Sequence, residues 1–422
     1  MPSIDQNSDA LSSSPKTSVH WPTLIYFGVM TIILSLFSFE VIPLQFIQKQ
    51  VLHFSPSQVS HFTFIAGMPF YFAFLAGTVR DRWKPFGMGD RAIFMIFGPL
   101  TAACYFYIGH GEMNYFRLLI GLIAARCTFR MIAAAQHGLM SEIGKLAGLA
   151  GTLSSIFNVV NVLIAALGIF LGGLFEKDFK YSTIFDLISV LCLSLVLFGF
   201  WQPRMIGKVE KADVSAKSHL IEDLNGMLKC KPLWIALLIN LMWNFAPGAN
   251  TALLYYLTDK VHLNSVQYGT AVAVQTIAFL PMMVAYGFLC RKFSLRKQLF
   301  WFAIVAIPQW IFFPFIHSYA LTIAVMAFVG LTGGGLTAAI FDLTLRVTPK
   351  RFEGTTMLIV GAGSALIVNG GDIVGSWLYE RGGFIINAIA ITIVYSLIVP
   401  VLFLVPRAYT DEKELEPIEV AA

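Results

Sequence analysis

Charge is what this chain has least of. Of its 422 residues only 13% are Asp, Glu, Lys or Arg, against about 25% in a typical soluble domain. Hydrophobic residues make up 57%, and 37 are Phe. So little charge excludes a water-facing globular exterior. Cysteine is scarce as well. The five (104, 127, 192, 230 and 290) are scattered and form no CxxC, so neither a disulfide framework nor a thiolate metal site is indicated. There is no HExxH, no GxSxG and no Cys/His cluster, and the eight histidines are dispersed. An enzyme is therefore not expected, nor is a cofactor or a resident metal. No P-loop is present, so ATP is not the drive. The first twenty residues lack a basic n-region and are not expected to be a signal peptide.

What is present is length without charge. Apolar stretches fall at about 22–47, 58–80, 91–109, 113–137, 148–173, 181–201, 231–257, 266–290, 296–317, 319–346, 354–378 and 383–405. Each suits a hydrocarbon core ~30 Å thick. A barrel would instead show short alternating segments. The expected fold is an all-α membrane protein of twelve transmembrane helices in two six-helix, pseudo-symmetric halves. With the N-terminus in the cytoplasm, 21 of the 29 Lys and Arg lie in cytoplasmic loops or tails, five lie opposite and three lie within the fourth helix. That bias places both termini in the cytoplasm, with the chain multi-pass in a plasma (inner) membrane. The net charge of +5 then reflects topology, with the lipid bilayer as partner and no nucleic acid. The expected division is a disordered tail (1–20), a first bundle (21–201), a cytoplasmic linker (202–230), a second bundle (231–406) and a disordered tail (407–422).

Two loops repeat. GTVRDRWK (77–84) and GFLCRKFSLRK (287–297) both follow the second helix of a half, each with a Gly before a charged cluster. Such echoes are what an internal-repeat transporter leaves in its sequence. The first loop resembles the signature of the major facilitator superfamily through Gly77, Asp81 and Arg82; Lys84 stands where a second Gly is usual. Arg117 and Gly121 resemble that superfamily's Arg-x-x-x-Gly motif. Within it, NFAPGANTALLYYLTDKVHLNSVQYG (244–269) and RFEGTTMLIVGAGSALIVNGGDIVG (351–375) resemble the folate–biopterin transporter branch. The resemblance implies a secondary transporter that works by alternating access, commonly as a monomer. It assigns gating to Gly77, Asp81, Arg82 and Arg291, and a folate- or pterin-like substrate to the cavity. The cations of the first loop would serve equally well as a positive-inside anchor.

Ionisable groups at membrane depth are costly and are retained for a reason. Arg126 and Arg130 stand four apart near the middle of the fourth helix and so share a face. Glu40 lies in the first helix near Pro43, and Asn369 and Asp372 lie in the eleventh. The arginines repel one another unless something negative sits between them. That could be the carboxylate of a small organic anion, which a guanidinium fork suits. It could also be Glu40 in a structural pair, or the group could serve coupling to a proton or sodium. Asp342 and Arg346, again four apart, read as an internal ion pair at a gate. Glu142 and Glu353 read as interfacial caps. Pro43, Pro247-Gly248 and Gly333-Gly334-Gly335 are expected to loosen helices 1, 7 and 10. Asn240, Asn244, Asn250 and Gln275 are expected to line a polar cavity, with Trp243, Phe245, Tyr255 and Tyr256 available for stacking. A sugar–cation symporter, a divalent metal transporter and a non-transporting assembly factor are alternative readings of the same layout.

Overall fold

In the computed structural model, which describes residues 21–83, 87–147, 150–201, 203, 230–348 and 353–411, helices dominate. The expected linker, apart from Pro203 and Cys230, lies outside the described residues, as do residues 1–20 and 412–422. Among the described residues, nine helical stretches are long and apolar enough to cross a bilayer. They are α1 (Trp21–Val51), α3 (Asp90–Gly109), α4 (Tyr115–Ala147), α5 (Ala150–Asp178), α6 (Tyr181–Phe200), α8 (Ser265–Lys292), α9 (Leu295–Phe315), α10 (Tyr319–Val347) and a stretch ending at Leu402. That last stretch is two helices, α11 (353–382) and α12 (384–402), which meet at Gly383 with φ 69°. Two further spans are broken. α2 (56–82) changes course at Gly67 and Phe72, and α7 (231–260) unwinds between Asn244 and Thr251. Counted this way, the fold has twelve spans.

The breaks follow from local chemistry. Pro43 has no N–H to give to residue 39, and a 3₁₀ turn (Leu36–Glu40) comes just before it. Gly168 and Gly172 of α5 let that turn approach closely; a methyl group on either would meet Ser38 or the Phe39 carbonyl. In α7, Gly248 adopts φ 100° and Asn387 of α12 donates to the Pro247 carbonyl (3.2 Å), which satisfies freed backbone. The glycine triplet of α10 departs from expectation. α10 is continuous, and Gly334 and Gly335 serve close packing against Phe279, Met282 and Phe302.

Two hydrophobic cores form. One is built from first-half residues such as Tyr26, Phe94, Leu118 and Phe185. The other is built from Leu253, Trp310, Phe313 and Ile391, and it takes in Ile42, Phe46, Val59 and Ile169 from the first half. That shared part holds the halves together at the end of the bundle carrying Lys49. Outward faces carry exposed Phe116, Phe200, Phe288 and Trp301, as a lipid-facing surface requires.

Candidate functional site

Arg126 and Arg130 share a face of α4, and both look onto α2. The Phe70 ring lies 3.6 Å from the guanidinium carbon of Arg130 and 5.7 Å from that of Arg126. Glu40 reaches α4 because the 3₁₀ turn carries it there. One carboxylate oxygen stands 3.7 Å from Arg126, and the other accepts a hydrogen bond from the Tyr105 hydroxyl (2.5 Å). Glu40 therefore answers one arginine. Arg130 has no ion-pair partner among the described residues, and the Nε of each arginine is buried without an acceptor. The arrangement is a cation held on an aromatic face beside a second, half-neutralised cation.

The second half carries amides of its own. A cavity of about 180 Å³ beside the break in α7 is lined by Trp243, Asn244, Asn250, Gln275 and Tyr395, among others. Asn244 donates to the Asn240 carbonyl (2.8 Å), and Asn240 itself donates to Ser364 (2.9 Å). Of the four aromatics considered for stacking, only Trp243 borders this cavity. Phe245 packs on Gly371, Tyr256 stacks on Phe384, and Tyr255 lies against Lys49. Asn369 donates to the Tyr71 hydroxyl (2.9 Å) and so joins α11 to α2 across the seam. Asp372 is placed differently from its expected cavity position. It is 2% exposed and accepts from the Thr251 N–H (2.9 Å) and the Thr251 hydroxyl (2.5 Å).

Each end of the bundle has its own set of ties. At the Lys49 end the halves are joined: Lys49 pairs with Asp259 and Thr258, the Tyr255 hydroxyl donates to the Phe54 carbonyl, and Ser57 gives Glu380 two hydrogen bonds (2.8 and 2.6 Å). Just below, Gly173 and Gly269 let α5 and α8 cross backbone to backbone. A cavity of about 720 Å³ at this end, bordered by Lys49, Glu176, Lys177 and Asp259, is an open vestibule outside these contacts and apart from the arginine pair.

At the Arg80 end, the ties among the described residues lie within each half. Arg80 forks onto Asp90 (2.7 and 2.6 Å) and reaches Glu142 (2.8 Å), binding α2, α3 and α4 together. Glu142 is thus an ion-pair partner rather than a cap, and Gly138 leaves the room in which the Arg80 guanidinium lies. In the other half Asp342 pairs with Arg346 (2.9 Å), as the spacing predicts, and also accepts from Tyr286 (2.6 Å). Gly77 has open space around its Cα, as does Gly287, and Arg82 and Arg291 are exposed. The side chains of Asp81 and Glu353 lie outside the described residues. Arg117 donates to the Tyr107 and His110 carbonyls, and so closes the end of α3.

Sequence reasoning missed a repeated corner. After α1 and after α7 the chain makes the same turn: a π-helical turn (Ile47–Val51 and Tyr256–Lys260), a histidine with positive φ (His53, 52°; His262, 60°) and a capping box (Ser55 with Gln58; Asn264 with Gln267). The signal is His, an apolar residue, Ser or Asn, then Gln three residues later.

Twelve spans in two cored halves, sealed at one end around a polar centre, define a multi-pass secondary transporter of the major facilitator type. The Major Facilitator Superfamily model matches residues 233–421. The chain belongs to the BT1 family, whose model matches residues 37–316. Among solved structures, it is similar to the nucleoside transporter NupG (14% identity, 92% of this chain and 98% of that one, TM-score 0.69). It is also similar to a bacterial homologue of the human lysosomal transporter Spinster, inward-facing and occupied (11%, 91% and 96%, 0.73), and to a D-xylose–proton symporter (12%, 93% and 98%, 0.66). At these identities the likeness is one of fold. No curated protein matches the sequence.

Proposed function

We propose that this transporter carries a small organic anion of the folate or pterin kind. The observation that supports this most is Arg130, stacked on Phe70 beside Arg126 with no carboxylate of its own among the described residues. A carboxylate on the substrate would bridge the two guanidinium groups, with Glu40 and Tyr105 fixing Arg126 from behind. The amides around Asn244, with Asn369 at the seam, would meet the polar edges of a planar ring. Membership of the BT1 family, the folate–biopterin transporters, agrees with this chemistry.

The Lys and Arg bias puts the Arg80 end and both termini in the cytoplasm of a plasma (inner) membrane. The structure is then the inward-facing member of an alternating-access cycle, with the Lys49 contacts as its closed outer gate. Gly77, Asp81, Arg82, Arg291, Asp342 and Arg346 form the opposing gate. A single chain contains the whole path and works as a monomer, by symport with a proton or sodium. The test is uptake of radiolabelled folate and pterins into cells expressing the protein. Arg130→Ala should abolish uptake while the purified variant keeps its folded elution profile. Unimpaired uptake would remove the arginine pair from the site.

A further inference from the structure

We infer that Asp372 is the core of a sodium site, built with Thr251 and Ser376, that couples a cation to closure of the Lys49 end. The inference rests on the reading of the chain as a gradient-driven transporter but not on its anionic substrate.

Asp372 sits within a membrane span at 2% exposure, and both its oxygens accept hydrogen bonds from Thr251. Accepting through both oxygens is what an ionised carboxylate does. No cation pairs with it among the described residues, and two hydrogen bonds do not neutralise a full charge at that depth. The second observation is independent. Ser376, one turn further along the same face of α11, is 0% exposed, and its hydroxyl has no hydrogen-bond partner among the described residues. A third oxygen is left over at the same break in α7. Asn387, also 0% exposed, spends its Nδ2 on the Pro247 and Gly375 carbonyls (3.2 and 2.7 Å), and its Oδ1 has no partner among the described residues.

A carboxylate with hydroxyl oxygens around it, beside unwound backbone, is a donor set for a hard monovalent cation. One negative charge is too little for a dedicated divalent site, and no cluster of three acidic, His or Cys side chains suited to a metal occurs among the described residues. The ionisable group facing Asp372 from α8 is Tyr268, while α7 and α12 present Thr251 and Asn387.

The placement gives the cation something to do. Thr251 opens the half-helix that leads to Tyr255, Thr258 and Asp259, the residues that meet Phe54 and Lys49. A cation between Asp372 and Ser376 would steady that half-helix, so ion occupancy and the seal would stabilise each other.

The test is binding of ²²Na⁺ to the purified full chain, competed with unlabelled Na⁺, K⁺ and acid, alongside thermal unfolding in sodium and choline chloride at equal ionic strength. Saturable binding that K⁺ does not displace, with a higher Tm in sodium, is expected. Asp372→Asn should abolish both effects, and Ser376→Ala should weaken binding by roughly tenfold. Arg130→Ala should bind sodium normally, which separates this inference from the anion reading. Absence of saturable binding to the folded wild-type chain, or binding that survives Asp372→Asn, would overturn it. Stabilisation by acid alone would overturn it in favour of a proton site. If Asp372→Asn does not fold, Ser376→Ala decides: unchanged sodium affinity there would refute the site.

Discussion

Lys49 donates a hydrogen bond to Thr258, the residue that stands at its own place in the second half, 209 positions on. The matching corners around them establish the correspondence: His53 with His262, Ser55 with Asn264 and Gln58 with Gln267. The pseudo-two-fold axis therefore passes through the seal at this end, and the two corners close upon one another.

This contact is an equilibrium device rather than a rivet. Its acid, Asp259, is half exposed, so the pair contributes only about 0–1 kcal/mol. Lys49→Ala should leave folding intact and shift the balance between open and closed states of the Lys49 end by up to roughly fivefold. The check is the rate at which an impermeant maleimide, added from the Lys49 side, labels a cysteine placed at Gln275 in a chain without its five native cysteines.

Gly173 and Gly269 make a firmer demand. A Cβ on Gly269 would stand 3.1 Å from the Gly173 Cα, and one on Gly173 would run into the Ser265 carbonyl. Gly173→Val should hold the seam open, with transport lost, the folded profile kept and labelling from the Lys49 side increased. Gly28→Ala, where a Cβ meets nothing within 4 Å, should be silent in the same assays.

The Arg80 cluster predicts a stability effect. Arg80 and Asp90 have side chains only 11% and 10% exposed. Arg80→Ala leaves Asp90 and Glu142 without this partner and should cost about 3–5 kcal/mol, seen as a lower Tm. Gly138→Val, which fills the space of the guanidinium, should push Arg80 off its partners and also lower the Tm, although it removes no charge.

At the proposed substrate site, charge and shape can be separated. Arg130→Lys keeps the cation but loses the planar fork and its stack on Phe70. KM should rise by roughly tenfold with uptake still measurable. Phe70→Leu removes the aromatic face alone, worth about 0.5–1 kcal/mol, and should raise KM by less. Equal, unaltered KM values in both variants would place the substrate elsewhere.

Much of this architecture is legible in the sequence. Span lengths, the Lys and Arg bias and the broken seventh helix follow from hydrophobicity and from Pro247-Gly248, which are local properties. So does the Asp342–Arg346 pair, one helical turn apart. The misses are all matters of helix rotation and of partners distant in the chain. Asp372 shares α11 with Asn369, yet one turns into α7 and the other toward α2. Arg80 read as an anchor because its partner Glu142 lies 62 residues on. The glycines of α10 looked like weak points because their use, contact with α8, depends on a neighbour that the sequence does not name.

The two halves share a corner but carry unlike polar groups: both guanidinium groups belong to α4, and the amide-lined pocket belongs to the second half. Under the proposed function the cavity therefore works as a conjunction. A solute bearing only the negative charge engages one wall, a solute bearing only the ring engages the other, and neither draws the walls together. Only a molecule carrying both features at the right separation bridges them, so discrimination resides in the act of closing more than in either surface.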